Sequence, residues 1–249
     1  KKKQLTKFDE SIHYPMVSAN GNLVTFRKDY QIWVYDTSTK KSRQIKMSAP
    51  KNVTIARTQD FNVKGNISSF DVSADGKKMA FVSRGELFVS DIKGKFVQQI
   101  ATAADGRIGE VLWQKDNKTI VFNQTVDGWQ NWFTVAANGK GEAKQHTKDV
   151  ANNRNMTMNS DRTKAVYLSG RNELRLMDLE TMESSLLVND EFWAMYTDAP
   201  YFSPDDAYVV FSVIRNFEKD ILVHHLATKK TTNLTQTGVT ETAPSWSPD

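Results

Sequence analysis

The chain has no cysteine among its 249 residues. That excludes disulfide staples, thiol nucleophiles and thiolate metal sites together. Histidine is nearly as scarce, limited to His13, His146, His224 and His225. The adjacent pair His224 and His225 reads as strand, where neighbouring side chains point to opposite faces. A metal site wants ligands at set spacings on one face, so no metal and no cofactor is expected. No stretch approaches the roughly 18 unbroken apolar residues of a membrane helix, and no membrane span is expected. Basic residues are not gathered: 33 Lys and Arg alternate with 29 Asp and Glu for a net charge of +4. A nucleic-acid partner calls for a basic face or run. The short clusters Lys1–Lys3 and Lys229-Lys230 read as solvated turn ends, so no nucleic acid is expected. Lys1-Lys2-Lys3-Gln4 leads straight into folded-type sequence, and any targeting segment is expected to have been removed or to belong to a longer parent. The lack of cysteine fits an extracytoplasmic bacterial protein, with the periplasm the expected compartment, and is compatible with the cytoplasm as well.

What is present is a repeat. One phrase recurs as Val17-Ser18-Ala19-Asn20-Gly21, Val72-Ser73-Ala74-Asp75-Gly76, Trp113-Gln114-Lys115-Asp116-Asn117, Met158-Asn159-Ser160-Asp161-Arg162, Phe202-Ser203-Pro204-Asp205-Asp206 and Trp246-Ser247-Pro248-Asp249. Its second positions, 18, 73, 114, 159, 203 and 247, are separated by 55, 41, 45, 44 and 44 residues. An apolar residue leads into a tight turn whose Pro, Asp and Gly suit preset or left-handed backbone angles. A β-branched and aromatic run follows each time, such as Met79-Ala80-Phe81-Val82 or Val209-Val210-Phe211. An alternating segment comes next, such as Glu86-Leu87-Phe88-Val89-Ser90-Asp91, and a polar outer strand closes the unit. Four short strands per period of about 40–50 residues, with no helical periodicity, predict an all-β chain of antiparallel propeller blades.

Five full blades are expected, at about 13–48, 66–102, 108–147, 153–189 and 198–236. Partial blade strands are expected at 1–6 and 243–249. A ring must close to protect its edges, so the chain is expected to be a fragment of a parent propeller of six or seven blades. The longest interval carries extra sequence around Ala49–Asn62, either an added strand or a junction between two propellers.

The Ser-Pro-Asp-Gly repeat resembles the TolB-like propeller superfamily. The stretch from Phe70 to Phe88, with its Arg84-Gly85-Glu86-Leu87-Phe88 turn, and the lead-in Arg57-Thr58-Gln59-Asp60-Phe61 are similar to a propeller blade of tricorn-type serine peptidases. That resemblance implies a non-catalytic region that binds peptides, or gates their access to a catalytic core outside this chain. It also implies as partners the remaining blades and a catalytic domain of the parent, besides peptides or a protein partner. Alternatives are a TolB-like interaction scaffold and the propeller of a prolyl-oligopeptidase-type hydrolase.

No catalytic residue is expected. There is no Gly-x-Ser-x-Gly elbow, and Ser73, Ser203 and Ser247 sit in the repeated turn, where hydroxyls bond local backbone. Asp75, Asp116, Asp161 and Asp205 recur once per blade, as structural residues do. Five residues are singled out as possible peptide or partner contacts. Arg84 either holds a peptide carboxylate in the channel or stabilises its turn. Trp129, beside Trp132 in Asp127-Gly128-Trp129-Gln130-Asn131-Trp132, either presents an aromatic surface or folds over a neighbouring blade. Trp193 in Phe192-Trp193-Ala194-Met195-Tyr196 and Arg215 in Arg215-Asn216-Phe217 are similar cases.

Overall fold

A computed structural model describes residues 2–48, 60–103, 105–192, 198–215 and 217–248. They form five four-stranded antiparallel sheets, each built from four consecutive strands. The first holds β1 (Ile12–Val17), β2 (Leu23–Lys28), β3 (Gln31–Asp36) and β4 (Lys41–Gln44). The second holds β5 (Ile67–Val72), β6 (Lys78–Ser83), β7 (Glu86–Asp91) and β8 (Val97–Ile100). The third holds β9 (Ile108–Trp113), β10 (Thr119–Val126), β11 (Trp129–Ala136) and β12 (Lys144–Gln145). The fourth holds β13 (Asn153–Met158), β14 (Lys164–Ser169), β15 (Glu173–Asp178) and β16 (Ser184–Asn189). The fifth holds β17 (Tyr201–Phe202), β18 (Tyr208–Arg215), β19 (Glu218–His225) and β20 (Lys230–Asn233). No helix occurs among the described residues. This is the architecture of propeller blades.

The chain divides into two compact units, Lys1–Asp60 with the first blade and Phe61–Asp249 with the other four. Within the second unit the first strands of successive blades, β5, β9, β13 and β17, are neighbours. The first strand is therefore innermost and the short fourth strand outermost. Three apolar cores fill the spaces between blades. Val82, Leu87 and Val89 meet Val111, Ile120 and Phe133 in one. Val121 and Trp132 meet Met156, Tyr167 and Met177 in the next. Leu168 and Leu174 meet Phe211 and Leu222 in the third. The buried runs Ile120–Asn123 and Ala165–Leu168 explain why the second strands read as continuous apolar segments. Both of their faces are covered.

The repeated phrase makes the turn between first and second strands. In blade two, Ser73 Oγ donates to Asp75 Oδ1 at 2.7 Å and accepts from Lys78 N at 2.9 Å. Ser18 with Asn20 and Leu23, and Ser203 with Asp205 and Tyr208, repeat the arrangement. The residue after Asp or Asn takes the left-handed angle each time: Gly21, Gly76, Asn117, Arg162 and Asp206 have φ of 71°, 70°, 55°, 54° and 57°. These hydrogen bonds hold Asp75, Asp161 and Asp205 below the usual carboxylate range, through Ser73, Thr163 and Ser203 respectively. Such acids are built to accept hydrogen bonds, not to transfer protons.

The segments expected as partial strands, 1–6 and 243–249, form no ladder in their described residues. Trp246 nevertheless docks on the fifth blade, donating from Nε1 to Tyr201 O at 3.2 Å. The residues around the expected insertion, 49–59, lie outside the described residues.

Candidate functional site

An antiparallel meander puts the turns between strands one and two, and three and four, at one end of a blade. The turn between strands two and three, and the link to the next blade, lie at the other. In the Phe61–Asp249 unit the repeated-turn end is occupied with structural work. Asp71, on innermost β5, accepts from Trp113 N at 2.7 Å, and its carbonyl accepts from Trp113 Nε1 at 3.1 Å. Arg162, from the β13–β14 turn, donates to Asp71 Oδ2 at 2.8 Å and to Trp113 O at 2.7 Å. One guanidinium thus ties three blades. Glu110 on β9 repeats the device, accepting from Asn155 N at 2.7 Å and Met156 N at 3.1 Å of β13. Burial pushes its carboxyl above the usual range despite these donors and the nearby Arg154 charge.

The link end carries a groove of about 740 Å³ between the second and third blades. Gly65, Asn66, Ile67 and Ser68 form one wall, Arg107, Ile108 and Gly109 the other, with Arg84 and Gly85 between them. No acidic side chain lines it. Arg84 and Gly85 are the two central residues of a tight hairpin joining Ser83 to Glu86, with φ of 57° and 84°. That is the primed turn matching strand twist, with glycine in its second position. Gly85 is needed for space as well: a Cβ there would meet Arg107 Cγ at 2.6 Å. The Arg107 stem therefore lies across the hairpin tip. Arg84 stacks its guanidinium over Phe61, 4.1 Å from the ring centroid, a contact worth about 0.5–1 kcal/mol at an exposed site. Among the described residues neither arginine forms an ion pair, unlike Arg162, Arg171, Arg175 and Arg215. Arg84 and Arg107 thus place two guanidiniums without ion pairs beside one groove, and such forks suit planar anions.

The other expected contacts divide. Trp129 follows the tight Asp127-Gly128 turn, pairs with Val126 and is 38% exposed at the link end. Trp132 is fully buried between blades three and four, edge-on to Tyr167 at 5.7 Å. Alternation along β11 separates the two tryptophans by an odd number of residues and so puts them on opposite faces; Trp132 offers no contact surface. Arg215 closes a two-pronged ion pair on Asp190, Nη2 to Oδ2 at 2.5 Å with Nη1 on Oδ1. Its fork is already used, although it stands at the link end. Trp193 lies outside the described residues. The structure thus brings Arg84, Trp129 and Arg215 to the same end of their blades and leaves only the first two available.

Several residues gave no sequence signal. Arg107 precedes an innermost strand without belonging to any motif, and only the fold sets it beside Arg84. A buried polar knot joins blades three and four: Asn131 Oδ1 accepts from Thr147 Oγ1 at 2.9 Å and Asp149 N at 2.8 Å. Asn153 Nδ2 donates to Asp149 Oδ2 at 2.8 Å, and Asn123 Nδ2 to Asn153 O at 2.9 Å. Among the histidines, His224 is buried with Nδ1 2.9 Å from Thr231 Oγ1, and His225 stacks edge-on against Tyr208 at 4.6 Å. Among the described residues no cluster of three His, Asp or Glu could hold a metal ion. No helix there is long and apolar enough to cross a membrane.

Strand count per sheet, strand order and turn chemistry define a β-propeller fold, similar to the propellers of tricorn protease and of TolB. No family model matches the chain. It is 26% identical over 191 residues to the tricorn protease of Thermoplasma acidophilum, a match covering 75% of this chain and 17% of that protein. A crystal structure of tricorn protease superposes with a TM-score of 0.66 at 20% identity, over 97% of this chain and 23% of that one. TolB from Acinetobacter baumannii gives 0.50 at 18% identity, over 92% of this chain and 55% of that one. A TolB-type structure from Agrobacterium tumefaciens gives 0.55 at 16%, over 88% and 74%. The chain therefore spans about a fifth of the tricorn relatives it matches.

Proposed function

We propose that this chain is a non-catalytic propeller region of a tricorn-like serine peptidase. It binds peptides, or gates their passage to a catalytic core carried elsewhere in a longer protein. The observation that carries the reading is the Arg84–Arg107 groove, because both guanidiniums lack a carboxylate partner and a peptide supplies one at its C-terminus. Gly65 faces open space on one wall, where a peptide backbone can approach closely, and Trp129 supplies a further aromatic contact at the same end of its blade.

Calorimetric titration of the 249-residue chain with a neutral tetrapeptide, as free acid and as C-terminal amide, tests the groove. A charged hydrogen bond contributes about 1.5–3 kcal/mol, so the amide is expected to bind roughly ten- to a hundredfold more weakly. Equal binding of the two forms removes the carboxylate from the account. Peptidase activity in a longer protein bearing this chain, and none in residues 1–249 alone, is the matching expectation for the enzyme. The likeness to TolB structures favours one second reading, a scaffold for a protein partner. A longer protein that binds folded partners and cleaves no peptide would establish it.

A further inference from the structure

The first blade carries a second cluster. Arg27, exposed on β2, lies between two tyrosine rings, 4.9 Å from the centroid of Tyr14 and 5.9 Å from that of Tyr30. Both tyrosines are open to solvent, at 72% and 93%. Both also occupy left-handed backbone, with φ of 51° and 56°. Bulky residues avoid that region. Other blades hold glycine or asparagine at corresponding positions, and the fifth holds the exposed Phe217, at φ 70°, in the hairpin position of Tyr30. Tyr30 is the second central residue of the Asp29-Tyr30 hairpin, where the second and third blades have Gly85 and Gly128. Tyr14 sits at the bulge of β1, where the fourth blade has Asn155 at φ 55°. Tyr14 also precedes Pro15, which favours extended backbone in the residue before it.

Burial does not explain these rings, since they shield no core. Two disfavoured backbone positions converge instead on one guanidinium. Strain of this kind collects where a surface is held ready for a ligand. The Arg27 guanidinium lies within cation–π range of both rings, and its planar fork suits a carboxylate. Among the described residues it has no acidic partner, whereas neighbouring Lys28 is paired with Glu10 at 2.8 Å. Tyrosine and arginine are also the side chains enriched at energetic centres of interfaces.

We propose that Tyr14, Arg27 and Tyr30 form a preorganised site for an acidic side chain of a bound peptide. Arg27 takes the carboxylate in a two-pronged contact, and the tyrosine faces take the apolar residues beside it. The ligand class rests on the peptide-binding reading above; the site does not share residues with the Arg84–Arg107 groove.

The test is an NMR titration of the 249-residue chain with a blocked pentapeptide, acetyl-Ala-Leu-Glu-Leu-Ala-amide, following the Arg Nε–H and tyrosine ring signals. Saturable shifts at Arg27, Tyr14 and Tyr30 are expected, weakened at least tenfold by Arg27→Gln or by replacing the peptide glutamate with glutamine. Tyr30→Gly is expected to weaken binding several-fold while leaving the melting temperature unchanged or higher, because glycine relieves the left-handed position. Unmoved signals at the cluster, or equal affinity in Arg27→Gln, overturn the proposal. So does inorganic phosphate that shifts the same signals as strongly at equal concentration, since the site then reads charge alone. Arg84 and Arg107 report separately in the same spectra. Shifts confined to them sink this site; shifts confined to Arg27 sustain it and leave the groove to the free-acid titration above, because this amidated peptide has no C-terminal carboxylate.

Discussion

The two ends of the blades in the Phe61–Asp249 unit spend the same residue types in opposite ways. At the repeated-turn end, Arg162 is paired with Asp71 and bonded to Trp113 O, and the turn serines bond the turn aspartates. At the link end, Arg84 and Arg107 stand without acids and Trp129 is partly exposed. A repeat must keep one end invariant to close every blade alike. The other end is released from that duty, and there side chains can serve a ligand. Arg171, Arg215 and the Asn131–Asn153 knot mark the limit of the rule. All stand at the link end, yet Glu191 and Asp190 engage the two arginines and the asparagines bond one another's neighbours.

The comparison breaks most sharply at the tryptophans of β11. Trp132→Ala is expected to cost about 3–5 kcal/mol, the usual loss for a large aromatic removed from a core. It is read from the urea midpoint at constant slope. Arg162→Ala comes next, at about 2–3 kcal/mol, because it strips charged hydrogen bonds from Asp71 and two carbonyls together. A loss below about 0.5 kcal/mol would mean that the three-blade tie is ornamental. Burial, with a smaller push from His225, holds His224 below its ordinary pKa. The folded chain therefore binds that proton less readily than the unfolded chain. The associated stability is complete above about pH 6.5 and is lost as pH falls through the lower folded value. His224→Gln should flatten that slope in midpoints measured from pH 7.5 to 5; an unchanged slope would place the titration elsewhere. Trp129→Ala should change stability by no more than about 0.5 kcal/mol while weakening peptide binding.

Much of the fold could be read before the structure. The period near 44 and the Ser-x-Asp-Gly turn carry it because each blade solves the same local problem with the same short-range chemistry. The placement of individual side chains was legible only where local sequence fixes it. Arg84 in its hairpin and Trp129 after Asp127-Gly128 met that condition. Trp132 stands close in sequence to an exposed turn, but strand alternation turns it inward, away from any contact surface. Arg107, Asn131 and Asn153 were invisible because their partners are supplied by segments or blades that periodicity does not bring together. The fork of Arg215 was hidden for the same reason: Asp190 lies 25 residues away, before the fifth blade begins.

The most direct measurement compares the double variant Arg84→Gln/Arg107→Gln with Arg162→Gln, each assayed for melting temperature and for affinity toward a free-acid tetrapeptide. The division of labour between the two ends predicts that the double variant melts like the parent chain and loses peptide binding. It predicts that Arg162→Gln melts lower and, while folded, binds as before. Unimpaired binding by the double variant, or lost binding in folded Arg162→Gln, would contradict it.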